Sequence, residues 1–326
     1  MTKFDPRRDI HALTGKVVIV TGGNRGIGYH LTLEFARHGA TVYLAARSEQ
    51  AARDAIRRME EEAPELDGQN RVRFLHLDLA TIKSAKAAAE RFLALETELH
   101  ILVHNAAILP HPYGLNSEGI EDSMVTNHLA PFAFTRVLLP LLYATSKSAD
   151  VRVIVTSSER YKEAARGSKL LSVQEINDPL SFASRVDSMP AKLARYARSK
   201  YANVLFARGL QAHFRAVGST ALALSLNPGE VATEAVLGYF RPLPLVGGLL
   251  TAGVKALLLS PAQGAHGALW AATSLTVRRD PRYYGGAHLA SVGRVEEPVG
   301  DAADSAVVQT FWEATERIVD AALAQS

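Results

Sequence analysis

The chain has 326 residues, of which 48% are hydrophobic and 21% charged, and carries a formal net charge of +3. That balance fits a globular protein with a full core, and no Lys/Arg tract runs long enough to form a nucleic-acid-binding arm. There is no cysteine, which excludes disulfides, thiolate metal sites and a cysteine nucleophile.

The first residues, Met1 to Asp5, have no apolar core of the signal-peptide kind. In chain order, Lys16 to Val20 is a continuous apolar run, as expected of a strand buried on both faces. A helix is predicted over 26–38, a strand over 41–45, a helix over 49–62, a strand over 72–77 and a helix over 82–96. A strand over 101–103, a long helix over 121–143 and a strand over 151–155 follow. Helix resumes over 193–217, and 221–226 forms another strand. Phe311, Trp312, Ile318 and Val319 recur at helical spacing and predict a terminal packing helix. Strands separated by helices of this length require right-handed crossovers. The expected fold is α/β, a single doubly wound parallel sheet of Rossmann type with helices on both faces.

The whole chain, 1–326, is expected to form one dinucleotide-binding catalytic domain. Two segments break the rhythm, an insertion over 159–193 and a lid over 230–259. Both follow strand ends, where ligands sit in open α/β sheets. The most apolar stretch, Leu245 to Leu259, contains Lys255 and falls short of the roughly 20 residues that span a bilayer. The expectation is a soluble protein without a transmembrane segment, cytoplasmic or held peripherally on an intracellular membrane through 236–259.

Between the first strand and first helix lies Thr21-Gly22-Gly23-Asn24-Arg25-Gly26-Ile27-Gly28. Glycines here permit positive φ and close approach of backbone to a pyrophosphate, which the helix N-terminus then holds. The second strand ends in Arg47 with no acidic residue before Glu49. An acidic residue there would bind the adenosine ribose and repel a 2′-phosphate, whereas Arg47 and the nearby Arg25 attract one. A charge-assisted bond contributes about 1.5 to 3 kcal/mol, so the pair favours NADP(H) over NAD(H).

A Y-x-x-x-K pattern places both side chains on one helix face. The chain contains it twice, at Tyr143/Lys147 and at Tyr196/Lys200. Tyr143 ends a helix entering a strand, so it belongs at the amino edge of the sheet. Tyr196 follows the strand ending Thr156-Ser157-Ser158 and can reach the carboxyl edge. A phenol of ordinary pKa about 10 needs roughly 4 kcal/mol of preferential phenolate stabilisation to reach neutrality. An ammonium about 4 Å away supplies on the order of 4 kcal/mol at an effective dielectric near 20. Lys200 could thus tune Tyr196 as a proton donor.

These motifs, with Asp78-Leu79, Asn105-Ala106-Ala107, Asn127 and Asn227-Pro228-Gly229, resemble the short-chain dehydrogenase/reductase family from about Gly15 to Gly285. Where the family reads N-N-A-G, this chain has His104-Asn105-Ala106-Ala107. The resemblance implies catalytic roles for Tyr196, Lys200, Asn127 (a water-linked relay) and Ser158 (substrate orientation), with Ser157 the alternative serine. It implies cofactor contacts at Gly22, Asn24, Arg25, Gly26, Ile27, Gly28, Arg47, Asp78, Leu79, Asn105, Tyr196, Lys200, Pro228, Gly229, Val231 and Thr233, with Asp78 on the adenine and Thr233 on the nicotinamide side.

Ser158 and Tyr196 stand 38 residues apart, longer than in compact members of the family. That gap, with Ser199 to Phe206, resembles the branch related to retinol dehydrogenases. The Leu-, Phe-, Val- and Gly-rich segment 236–259 points to a lipophilic ketone, aldehyde or alcohol, since apolar burial contributes about 25 cal/mol per Å². The same segment also fits plain core packing or the surface of a homo-oligomer. His76, His104 and His128 are not in metal-ligand spacing, and no metal is expected. Two other readings compete: a non-catalytic NADPH-binding sensor or scaffold, and a same-fold dehydratase or epimerase.

Overall fold

A computed structural model describes residues 4–168, 170–234 and 258–325. The order along the chain is α1 (Pro6–Asp9), β1 (Val17–Thr21), α2 (Gly26–Arg37), β2 (Thr41–Ala46), α3 (Glu49–Glu62), β3 (Val72–His76), α4 (Ile82–Leu93) and β4 (Ile101–His104). There follow α5 (Asp122–Met124), α6 (Ala130–Ser146), β5 (Arg152–Thr156), α7 (Tyr161–Ala164), α8 (Val173–Ile176), α9 (Met189–Ala216), β6 (Leu222–Leu226), β7 (His288–Ser291) and β8 (Arg294–Glu296).

The eight strands form one sheet in the order β3-β2-β1-β4-β5-β6-β7-β8. All pairs are parallel except β7 with β8. β1, β5 and β6 are buried along their whole length, which is why they are mostly apolar on both faces rather than alternating, with Arg152 and Ser225 among the buried polar exceptions. β1 sends its crossover to β2 on one side, and the chain returns from β3 to β4 on the other. The crevice at the carboxyl ends of β1 and β4 is therefore the switch point of a doubly wound sheet.

Two apolar layers flank the sheet. Side chains of α4, α6, α9 and the terminal helix Ser305–Ala324, including Trp312, fill one. Those of α2, α3 and the helix Pro261–Thr273 fill the other, with Trp270 packed against it. Local signals set the helix starts. Ser48 caps α3, Thr81 caps α4, and Ser188 caps α9 just ahead of Pro190.

The structure departs from the sequence expectations in three places. The helix expected over 121–143 is broken by a π-helical turn at Val125–Leu129, between α5 and α6. The insertion expected to be irregular carries α7 and α8, and α9 starts earlier, at Met189. β7 and β8 were not anticipated: each is only three or four residues long, and their pattern is too short to register a period. The bulk of the expected lid, 235–257, lies outside the described residues. Among the described residues, the helical run Asp122–Ser146 is long and apolar enough to cross a membrane, but 67% of its most apolar window is buried in the protein, as a core helix requires.

Candidate active site

A cleft of about 530 Å³ opens at the switch point, lined by the β1–α2 loop, the ends of β2 to β5, and residues of α9 and of the segment after β6. Gly22 and Gly26 have φ of +66° and +56°, values that a side chain would strain. Gly28 is demanded by space instead. A Cβ there would stand 2.1 Å from the Gly22 carbonyl oxygen and 2.6 Å from Asn105 Nδ2. α2 can thus begin directly beneath the turn. Its N-cap, Arg25, offers no side-chain acceptor, so the first amides of α2 are left for an anion. Asn24, Arg25, Gly26 and Ile27 all line the cleft.

Asn105 fixes this loop to β4. Its Nδ2 donates to the Thr21 carbonyl (2.9 Å), while Thr21 Oγ1 accepts from the amides of Asn105 (3.0 Å) and Ala106 (2.9 Å). The departure at His104 is absorbed in the core, where His104 Nε2 meets Thr135 Oγ1 at 2.7 Å. Burial among apolar rings depresses that imidazole to about 3, so it is neutral and structural. Arg25 and Arg47 are both exposed and line the same cleft. Asp78 and Leu79 line it too, and Asp78 Oδ1 accepts from the Ala80 amide at 3.0 Å, turning the chain after β3.

On the opposite side of the cleft, α9 presents Tyr196, half-buried, and Lys200, fully buried. Lys200 Nζ lies 5.5 Å from the Tyr196 ring centre. It donates to the Thr156 carbonyl at 3.2 Å, an oxygen shared with Asn203 Nδ2 at 3.0 Å. Loss of water around the ammonium lowers its pKa to about 8. Asn127 sits in the π-helical turn. Its Oδ1 accepts from the Ile108 amide (2.8 Å), and its Nδ2 donates to the Ile108 carbonyl (3.1 Å) and to Ser199 Oγ (2.9 Å). The extra residue of the turn aims this amide sideways, at the loop after β4 and at α9 together.

The two serines after β5 differ in their partners. Ser157 lines the cleft, but its buried hydroxyl donates to the Lys200 carbonyl at 2.7 Å. Ser158 is half-buried, and its Oγ accepts weakly from the Arg160 amide at 3.4 Å, which leaves the hydroxyl proton uncommitted among described contacts. Pro228, Gly229, Val231 and Thr233 line the cleft as well, and Thr233 Cγ2 stands 3.5 Å from where a Cβ on Gly26 would be. The second Y-x-x-x-K pattern lies elsewhere. Tyr143 stacks on His213 at 6.2 Å and packs against Phe214, while Lys147 lines a separate hollow beside Ser219 and Thr220, ahead of β6. Among the described residues no group of His, Asp and Glu could hold a metal ion. Sequence reasoning did not single out Thr21 or Ser199, although both stand inside motifs it used; their roles are hydrogen bonds to other segments, which spacing alone does not reveal.

The family profile described as short chain dehydrogenase matches residues 16–168. The chain is 38% identical over 309 residues to the short chain dehydrogenase/reductase dpchH of Colletotrichum higginsianum, covering 94% of this chain and 75% of that protein. Among solved structures, an uncharacterized protein from Mycobacterium paratuberculosis superposes with a TM-score of 0.68 at 26% identity, over 98% of each chain. A short chain dehydrogenase from Shigella flexneri, complexed with NADP, gives a TM-score of 0.60 at 23% identity over 88% of this chain and 99% of that one, a likeness of fold.

Proposed function

Because the chain belongs to the short-chain dehydrogenase/reductase family, we propose that it is an NADPH-dependent oxidoreductase acting on a lipophilic ketone or aldehyde, or on the matching alcohol. The juxtaposition of Tyr196 and Lys200 across one cleft from the glycine turn carries this reading. A sensor or scaffold has no use for a buried ammonium beside a phenol.

The cleft fits a nicotinamide dinucleotide. The space kept free by Gly28 and the uncapped start of α2 suit a pyrophosphate, and Asn24, Gly26 and Ile27 border that place. Arg25 and Arg47 suit a 2′-phosphate, Asp78 and Leu79 the adenine end, and Pro228, Gly229, Val231 and Thr233 the nicotinamide end. Such a fit parallels the NADP complex of the Shigella neighbour, whose likeness extends to fold alone. When bound, NADPH supplies the hydride.

The chain's own residues supply the rest. Tyr196 donates the proton to the oxygen of the reacting carbonyl. Lys200, charged below about pH 8, stabilises the phenolate left behind. Ser158 holds that oxygen as charge develops on it, its hydroxyl not consumed as that of Ser157 is. Asn127 orients the turn beside α9 from which a water could return a proton to Lys200. The lipophilic substrate is inferred from the composition of 236–259.

The test is a spectrophotometric panel of apolar and polar carbonyls with NADPH, run beside Tyr196→Phe. Net NADPH consumption with the apolar compounds is expected, and the variant should keep cofactor affinity while losing turnover at least a hundredfold. A Tyr196→Phe enzyme that still turns over at the wild-type rate would refute the assignment.

A further inference from the structure

Two pairs of residues on α9 stand one residue out of phase. Tyr196 and Lys200 face the cleft, and Arg195 and Ser199, each one position earlier, face the loop after β4. That loop contributes Ala107, Ile108 and Leu109 to the cleft wall beside Tyr196. Ile108 is gripped through its amide and carbonyl by Asn127, itself bonded to Ser199. Three residues on, Arg195 Nη2 donates to the His111 carbonyl at 3.1 Å. The Tyr113 amide donates to Asp187 Oδ1 at 2.7 Å, and the Tyr113 hydroxyl donates to the Asn177 carbonyl at 2.8 Å. The wall is thus held to α9 at one end by Ser199 and at the other by Arg195.

Arg195 is fully buried, an unusual place for a guanidinium. Its Nη1 donates to the carbonyls of Pro179 (2.6 Å) and Val186 (2.9 Å), which bracket a turn of the insertion. Within that turn Leu180, Ala183 and Ser184 have φ of +49°, +49° and +61°, conformations that side-chain-bearing residues rarely adopt without outside support. Its charge faces Glu121, buried at 3.9 Å, and Asp187 at 3.6 Å, and its guanidinium carbon lies 5.5 Å from the centre of the Tyr113 ring. One planar fork therefore joins three carbonyls on two separate segments, which a lysine cannot reproduce. Arg198 offers a comparison. It too is buried, and its two bonds, to the carbonyls of Glu175 (3.1 Å) and Ile176 (2.6 Å), end on the insertion alone.

We propose that Arg195 is a positioning residue that sets substrate affinity: it locks the 108–113 loop and the 179–186 turn to the helix carrying Tyr196, fixing the wall against which a carbonyl substrate lies. This rests on the reading of the cleft given above. Loosening the lock should leave the proton donor in place and let the wall move, raising KM far more than it lowers kcat.

The experiment compares Arg195→Lys with Arg198→Lys in the full chain, each keeping its positive charge. The probe is 4-nitrobenzaldehyde with NADPH, and hydrogen–deuterium exchange is followed at the amides of Leu109, His111 and Tyr113. Arg195→Lys is expected to raise KM at least tenfold with kcat within threefold and NADPH affinity unchanged, and to speed exchange at the three amides. Arg198→Lys should leave KM within twofold even where it lowers Tm equally. Asp187→Ala, which removes the acceptor of the Tyr113 amide at a half-exposed side chain, should raise KM in the same direction by about threefold. Unchanged exchange at the three amides in Arg195→Lys overturns the proposal, as does an Arg198→Lys enzyme whose KM rises as much. A wild type that consumes no NADPH with any carbonyl defeats the functional reading instead, and the three amides then decide this one.

Discussion

Lys200 places its ammonium 5.5 Å from the centre of the Tyr196 ring and finds a single hydrogen-bond acceptor, the Thr156 carbonyl, among described residues. Among the described residues no carboxylate balances it, and burial lowers its pKa from 10.5 to about 8. The shift corresponds to about 3 kcal/mol held against the folded state. The folded protein carries the charged lysine below about pH 8, at that penalty, whereas above the unfolded value both states are neutral and the penalty is gone. Stability of the wild type therefore rises with pH between about 8 and 10.5. Lys200→Met should melt several degrees higher than wild type at pH 7, by a margin that closes as pH approaches 10.5, while losing activity by orders of magnitude. Thermal melts across that range check the sign. A variant that melts lower than wild type at pH 7 would contradict the account.

The same value bears on catalysis. If the charged lysine supports proton donation from Tyr196, kcat/KM for carbonyl reduction should fall about tenfold per pH unit above a limb near pH 8. Lys200→Arg, charged throughout this range, should flatten that limb even if its overall rate is low. A wild-type profile flat to pH 10 would remove Lys200 from the proton chemistry.

Arg25 and Arg47 both line the cleft, and neither guanidinium makes a hydrogen bond or ion pair among the described residues. Replacing Arg47 by Asp should raise the KM for NADPH by ten- to a hundredfold and lower that for NADH, shifting preference without unfolding the protein. Steady-state kinetics with both cofactors measure this. Equal use of the two by the wild type would defeat the NADP(H) assignment and leave the fold as described.

Gly28→Ala tests the turn itself. The added methyl carbon would meet the Gly22 carbonyl at 2.1 Å, a contact that only a backbone shift relieves. NADPH affinity measured by calorimetry should fall at least tenfold, with a drop in Tm. Gly218→Ala, at a surface turn where a Cβ meets nothing within 4 Å, should cost stability through its φ of +69° and leave cofactor affinity alone.

Much of this architecture was legible in the residues. The apolar run at 16–20 announces a strand covered on both faces, and the observed β1 and β5 lie within a residue of the strands expected over 16–20 and 151–155. The choice between the two Y-x-x-x-K patterns followed from connectivity, and the structure places Tyr143 and Lys147 away from the cleft. The π-helical turn at Asn127 was not legible, because one inserted residue hardly disturbs helical periodicity over a long apolar helix. The partners of Arg195 and Arg198 were hidden for a different reason. Their hydrogen-bond acceptors are main-chain carbonyls, which every residue type offers equally, so no side-chain pattern marks them. The serines after β5 read alike in sequence and diverge only once the carbonyl of Lys200 comes within reach of one of them.

The sheet divides the interior into two layers, and the chain's two tryptophans fall on opposite sides of it, Trp312 in one and Trp270 against the other. Each fluorophore thus reports on a different half of the molecule. Trp270→Phe would leave an emitter stacked on His213 at 5.3 Å, sensing whether the terminal helix stays docked on α9, and Trp312→Phe would leave one beside Tyr284 at 5.6 Å, sensing the face that carries α2. Coincident denaturation curves from the two single-emitter proteins would mean that both halves come apart together.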